Sequence, residues 1–240
     1  VGLAAVAAGT SDIRLLTYAA VLPYRNPFLL AKAVATLDVV SEGRVILGVA
    51  AGYMEAEFRA LGVDFAQRNA LFDECLAVLK QAWTGEPVHY RGKAFEADGN
   101  VALPVPEQRP HPPVWIGGNG PGTRRRVVAH AQGWMSMPNP RTRTWREHTS
   151  PPLENVADLR VLLDELHQAA DLAGRKEPID VVHSLRDAPK DRAELVDHLL
   201  ALRAAGVTWV TVNGAGRTPE EAADRIRAFG AEVIAPVHAA

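Results

Sequence analysis

Short, β-branched apolar runs alternate along this chain with longer segments of helical period, and that rhythm limits its fold more than any other feature. The runs are Arg14–Val21, Val45–Ala50, Val114–Gly117, Trp134–Met137, Ile179–Ser184 and Val207–Asn213. Strands this short and apolar on both faces belong to parallel sheets covered by helices. The segments between them carry helix signals. Asn26-Pro27 offers an N-cap and an N1 proline ahead of a stripe of Leu30, Val34, Leu37 and Val40. Leu71, Cys75, Leu79 and Ala82 form a second stripe, and Leu159, Leu163, Leu166 and Ala170 a third that ends at Gly174. Leu195, Leu199 and Leu202 run up to Gly206 in the same way. Thr218-Pro219-Glu220-Glu221 is a capping box, predicting a helix that buries Ile226, Phe229 and Val233. Val1–Gly9 reads as the end of a helix. Strand–helix alternation with short connections implies right-handed βαβ units.

One segment breaks the rhythm. Between about 85 and 113 the chain is rich in Pro, Gly and charge, and Val88–Tyr90 and Ala94–Glu96 read as a hairpin inside an insertion. The whole chain, insertion included, is expected to form a single domain over 1–240. A net charge of −2 gives no electrostatic reason to expect nucleic acid or an acidic membrane surface. No apolar run reaches the ~18–20 residues that span a bilayer. The lone Cys75 sits at an apolar helical position, which suits a buried thiol and a cytoplasmic protein.

Six βα units fit an open doubly wound sheet or most of a closed eightfold barrel, and periodicity does not separate the two. Known phosphate and metal signatures are missing. Gly117-Gly118-Asn119-Gly120-Pro121-Gly122 fails the dinucleotide fingerprint, and Gly48–Gly52 lacks the Lys-Ser/Thr of a P-loop. The eight histidines show no metal-binding spacing, no nucleophile elbow occurs, and none of the strands ends in the lysine of an aldol or isomerase site.

Three strand-to-helix junctions could carry chemistry. Thr17, Ala19, Ala20 and Val21 are small enough for a flat ring to approach the backbone, or they form a plain tight strand. Gly52, Tyr53 and Glu55 follow the next strand, where an acid near a helix start is also explained by the helix dipole. At the third, Gly117, Gly118, Asn119 and Gly120 run into Arg124-Arg125-Arg126. Cations are unfavourable in the first turns of a helix, so an anion held by the exposed amides and Arg124 or a neighbour would account for them.

With these residues in place a family is recognisable. Thr17…Leu22-Pro-Tyr-Arg-Asn-Pro27, Leu30–Asp38…Ser41-Glu-Gly-Arg44, Leu47–Gly52…Glu55-Ala-Glu-Phe58…Gly62-Val-Asp-Phe65 and Pro112–Asn119…Gly133-Trp134 resemble the luciferase-like monooxygenases, and in particular their deazaflavin (coenzyme F420) branch. The resemblance implies a (β/α)8 TIM barrel of the bacterial-luciferase type. It implies an F420-dependent oxidoreductase passing a hydride to or from a small organic substrate, with FMN as the alternative cofactor. A non-catalytic flavin-binding protein on a partial barrel is the other reading. It places the cofactor ring against a strand bulge near Ala19, Ala20 and Val21, often beside a non-prolyl cis peptide, and the cofactor's chain and phosphate at Gly52–Glu55 and Gly117–Gly120. It also implies a homodimer. The family's first strand, helix and strand have no counterpart here, Val1–Gly9 matching the end of the second helix; no catalytic acid or base is therefore assigned.

Overall fold

In the computed structural model the described residues are 1–141, 150–185, 189–214 and 216–240. They form two compact units: Val1–Gly117 with His130–Gln132, and Gly118–Ala129 with Gly133–Ala240.

The first unit opens with helix α1 (Gly2–Ala8), which ends at Gly9. Two short strands follow, β1 (Leu15–Leu16) and β2 (Ala20–Val21), then helix α2 (Pro27–Val40) and strand β3 (Val45–Ala50). A short helix α3 (Glu55–Ala60) precedes the long α4 (Arg68–Ala82). The hairpin of β4 (Val88–Arg91) and β5 (Glu96–Asn100) leads to β6 (Val114–Gly117). Strand β3 is central and parallel to its neighbours, with Leu15 opposite Val45, Ala20 opposite Val49 and Leu47 opposite Val114. Its residues Val45–Val49 are all buried, as strands covered on both faces require.

Local signals act as expected. The Asn26 side chain accepts from the N–H groups of Phe28 and Leu29, and Pro27 takes N1. The buried face of α2 is nevertheless turned from the expected stripe: Pro27, Ala31, Val34, Ala35 and Asp38 are buried while Val40 is exposed. A larger space filler supplies the reason. Trp83, buried, donates from Nε1 to the Ala31 carbonyl, which fixes the Ala31 side of α2 against the end of α4. The insertion is fastened at several points. Glu74 of α4 accepts from the backbone N–H groups of Lys93 and Ala94, Lys32 donates to the Leu103 carbonyl, and the buried carboxylate of Asp38 accepts from both the backbone and the side-chain nitrogen of Gln108.

Three expectations for this unit are corrected. Arg14–Val21 is not one strand but two, because a bulge intervenes. Glu96–Asn100, not Ala94–Glu96, forms the second arm of the hairpin, because Gly92 to Phe95 make the turn, closed by a bond from the Gly92 N–H to the Phe95 carbonyl. The first arm extends to Arg91.

The second unit contains helix α5 (Pro121–His130) up to Ala129, strand β7 (Gly133–Met135), helix α6 (Val156–Leu172), strand β8 (Asp180–Ser184), helix α7 (Arg192–Ala204), strand β9 (Trp209–Thr211) and helices α8 (Pro219–Phe229) and α9 (Ala235–Ala239), the last two joined by a π-turn over Gly230–Ile234. Strands β7, β8 and β9 are parallel, with Trp134 opposite Val181 and Val182 opposite Trp209. Leu159, Leu162, Leu163 and Leu166 of α6 and Leu195, Leu199 and Leu202 of α7 are buried with Trp134, Met135, Val181 and Val182. Each such leucine stabilises the fold by roughly 1.5–3 kcal/mol relative to exposure.

The strands here are shorter than their apolar runs. Trp134–Met137 is observed as Gly133–Met135, Ile179–Ser184 as Asp180–Ser184 and Val207–Asn213 as Trp209–Thr211. Met137 leaves the ladder because a side chain takes over, Asn119 accepting from the Met137 N–H, whereas the Ser136 N–H still donates to the Val182 carbonyl of β8. Thr218 caps α8 by accepting from the Glu221 N–H, and Val233 is buried, but Ile226 is exposed and packs beside Gly214.

Candidate cofactor-binding loops

In the first unit the sheet itself makes the unusual surface. From Leu16 to Ala20 the chain advances four residues while β3, opposite, advances three from Ile46 to Val49. One residue is therefore extra, which is a β-bulge. The Tyr18–Ala19 peptide bond within it is cis. Thr17 repairs the interrupted ladder: its Oγ1 donates to the Gly48 carbonyl at 2.8 Å. Ala19, Ala20 and Val21 are half-buried beyond it, so the bulge and the cis bond lie where the family resemblance expects them.

Gly52 sits behind this surface. Its φ is +83°, and a Cβ there would come within 2.7 Å of Val21 Cγ1 and 2.8 Å of Phe58 Cε2. The close approach that requires glycine is thus to the protein's own packing. Phe58 is buried and stacks edge-on against Tyr24 at 4.7 Å and Phe65 at 5.1 Å. Tyr24 in turn donates to Glu57 at 2.8 Å; burial, then that bond, pushes its phenol up to about 12. The unit thereby brings Thr17, the bulge and Gly52 together, whereas Tyr53 and Glu55 are exposed on the rim. The pairing of Tyr24 with Glu57 is not visible in the sequence, since no local pattern shows a pair so far apart along the chain.

In the second unit the glycine loop is braced from below. Buried Asn119 donates from Nδ2 to the Met137 carbonyl at 2.7 Å and accepts from the Met137 N–H at 2.9 Å. Trp134 Nε1 donates to the Gly118 carbonyl at 2.8 Å. Arg124 is buried and folds back, donating to the Asn119 carbonyl and to Glu165 of α6. Its acidic partner lies 41 residues away, beyond the reach of sequence pattern. Gly120 faces open space, with nothing within 4 Å of where a Cβ would lie. At Gly122 the same position is 3.8 Å from a guanidinium nitrogen of Arg125 and 3.9 Å from one of Arg126. Two cations thus curl over the first turn of α5, where the helix N–H groups already favour negative charge. An accessible glycine backbone with two overlying guanidiniums fits a phosphate.

Among the described residues no helix is long and apolar enough to cross a membrane.

Comparison with known proteins places these loops in context. An uncharacterized protein of Mycobacterium tuberculosis is 37% identical over 139 residues, 58% of this chain and 49% of its own length. The FMNH2-dependent dimethylsulfone monooxygenase of Pseudomonas putida is 32% identical over 124 residues, 50% of this chain and 34% of its own. The chain spans about half the length, or less, of these relatives. The structure of the coenzyme F420-dependent tetrahydromethanopterin reductase of Methanopyrus kandleri superposes with a TM-score of 0.77 at 21% identity, over 97% of this chain and 86% of that one, which shows that the fold is shared. The family described as luciferase-like monooxygenase matches residues 1–232, so nearly the whole chain is accounted for, and the protein belongs to that family.

Proposed function

We propose that the protein is a deazaflavin (coenzyme F420)-dependent oxidoreductase acting on a small organic substrate. The observation that carries this reading is the start of α5, where Gly120 faces open space and guanidinium nitrogens of Arg125 and Arg126 lie within 4 Å of a Cβ built on Gly122. That feature fits the phosphate of F420 or of FMN alike. Preference for F420 comes from the Leu22–Pro27, Leu30–Arg44 and Pro112–Asn119 segments, which resemble the deazaflavin branch. When bound, a deazaflavin gives or takes a hydride; the protein supplies orientation and electrostatics.

The residues have distinct parts. Within the first unit, taken by itself, the Thr17–Val21 bulge offers a surface of small residues to a ring. Gly118–Gly122 and Arg125 hold the phosphate, with Arg126 beside them. Arg124 is a positioning residue, since its charge is committed to Glu165 and to the carbonyl that shapes the loop.

Fluorescence titration tests this. F420 should bind more tightly than FMN, and removing the phosphate from either should weaken binding about tenfold or more. Arg125→Ala should cost about tenfold, the loss expected for one exposed charge-assisted contact. Equal affinity with and without phosphate rejects the phosphate site, and tighter binding of FMN overturns the choice of cofactor.

A further inference from the structure

In the first unit a cleft of about 190 Å3 lies between α2 and the insertion, lined on one side by Phe28, Leu29 and Lys32 and on the other by Val88 and residues 100–103. All of its lining is among the described residues. Val88 is buried, but Leu29, Val101 and Leu103 are 73%, 53% and 59% exposed. Large aliphatic side chains left in water around a single concavity mark a place for an apolar ligand.

Two polar groups line the same cleft, and the bonds they already make decide what each has left to give. Lys32 donates from Nζ to the Leu103 carbonyl at 2.8 Å, which holds the ammonium against the cleft. An ammonium has three N–H groups, so two remain. No acid lines the cleft, and among the described residues Lys32 has no carboxylate partner. The side-chain oxygen of Asn100 accepts from the Asp98 N–H at 3.3 Å. A backbone N–H can only donate, so the oxygen is the end turned to it, and both Nδ2 protons are left over.

The groups remaining are therefore donors, one of them charged, beside apolar walls. One positive charge matches one negative charge; the second charge of a phosphate would stay uncompensated against those walls. The cleft is open to water along one side, so a charged end can keep part of its hydration while the rest of a ligand is covered. Size sets the other limit: an apolar cavity of about 150 Å3 holds benzene, so this cleft has room for a substituted ring. We propose that it binds a small aromatic carboxylate, the carboxylate accepting from Lys32 Nζ and Asn100 Nδ2 and the ring lying against Phe28 and the leucines. No part of the site belongs to the cofactor loops.

Three probes separate charge from apolar contact: 4-methylbenzoate, its neutral isostere 4-methylbenzamide, and acetate, which has the charge without the ring. Calorimetric titration of the wild-type chain should show saturable binding of 4-methylbenzoate at millimolar concentration. It should bind about fivefold tighter than 4-methylbenzamide, the margin expected of one exposed ion pair. Acetate should not saturate in that range. In Lys32→Met, which keeps the aliphatic stem, the two aromatic probes should bind equally; in Lys32→Arg the preference for the acid should persist. Should the methionine variant fail to fold, wild-type NMR decides the matter. The methyl resonances of Leu29, Val101 and Leu103 should move with 4-methylbenzoate, while those of Val161 and Leu172, exposed on α6, stay still. No saturable binding, equal affinity for acid and amide, or a preference that survives in folded Lys32→Met overturns the proposal. So do methyl shifts that follow protein concentration instead of ligand, which would mean that a second copy of the chain covers the cleft.

Discussion

Gly52 offers the sharpest test of how the first unit is built. Changing it to alanine has two separable costs. The first is conformational: φ is +83°, and the left-handed region costs an L-residue about 1–2 kcal/mol. The second is steric. A methyl would sit 2.7 Å from Val21 Cγ1 and 2.8–2.9 Å from the Phe58 ring, and that ring is itself wedged between Tyr24 and Phe65. Overpacking of this kind costs about 1–3 kcal/mol, so Gly52→Ala should lose about 2–5 kcal/mol in all. Gly62 provides the control within the same protein. Its φ is +70°, but nothing lies within 4 Å of a built Cβ, so Gly62→Ala should pay the conformational cost alone. Urea unfolding followed by circular dichroism, with equal m-values, gives both numbers. The difference between the variants should be about 1–3 kcal/mol. If Gly52→Ala falls within 0.5 kcal/mol of Gly62→Ala, the close approach of Val21 and Phe58 does not constrain this position.

Two further outcomes follow from buried groups in the second unit. Glu165→Ala should strand the Arg124 charge, which is only 5% exposed; because the Glu165 side chain is half exposed, the cost is about 1–2 kcal/mol, a drop in Tm of several degrees, and an unchanged Tm would show the pair to be ornamental. His183 is depressed to about 4 when folded, by burial and then by the neighbouring His198, and returns to its ordinary value of 6.5 when unfolded, so the unfolded chain binds protons more readily in between. Its contribution is complete above about pH 6.5 and is lost as the pH falls towards 4, with a ceiling of about 3 kcal/mol. Wild type should therefore lose stability on acidification faster than His183→Phe, and parallel urea midpoints for the two between pH 7.5 and 4.5 would contradict the assignment.

Features governed by near neighbours were legible in the sequence. Asn26 and Thr218 cap their helices as expected, because a cap needs only the next two or three N–H groups. The buried runs Val45–Ala50 and Val114–Gly117 were found to the residue, since apolar strands flanked by Gly and Pro leave little choice. What depended on distant partners was not legible. The run Arg14–Val21 looks continuous because a bulge is a property of two strands in register, not of one. Val40 and Ile226 fit helical stripes, but both are exposed: α2 is tied through Ala31 to Trp83, and Ile226 lies beside the loop at Gly214, partners that no local pattern shows. The three arginines after Gly122 looked alike. Only the fold distinguishes Arg124, turned inward to Glu165, from Arg125 and Arg126, which remain over the helix start.

The fastening of the insertion has a consequence for access. Glu74 grips its turn, Lys32 its middle and Asp38 its return, and each grip comes from α2 or α4, the helices that back the sheet. Lifting the whole insertion would break all of them and uncover a carboxylate that is otherwise sealed from water. The segment with the most loop-like composition in this unit is therefore a buttress: it moves with the wall it braces, and any gate to the bulge must be sought in other loops.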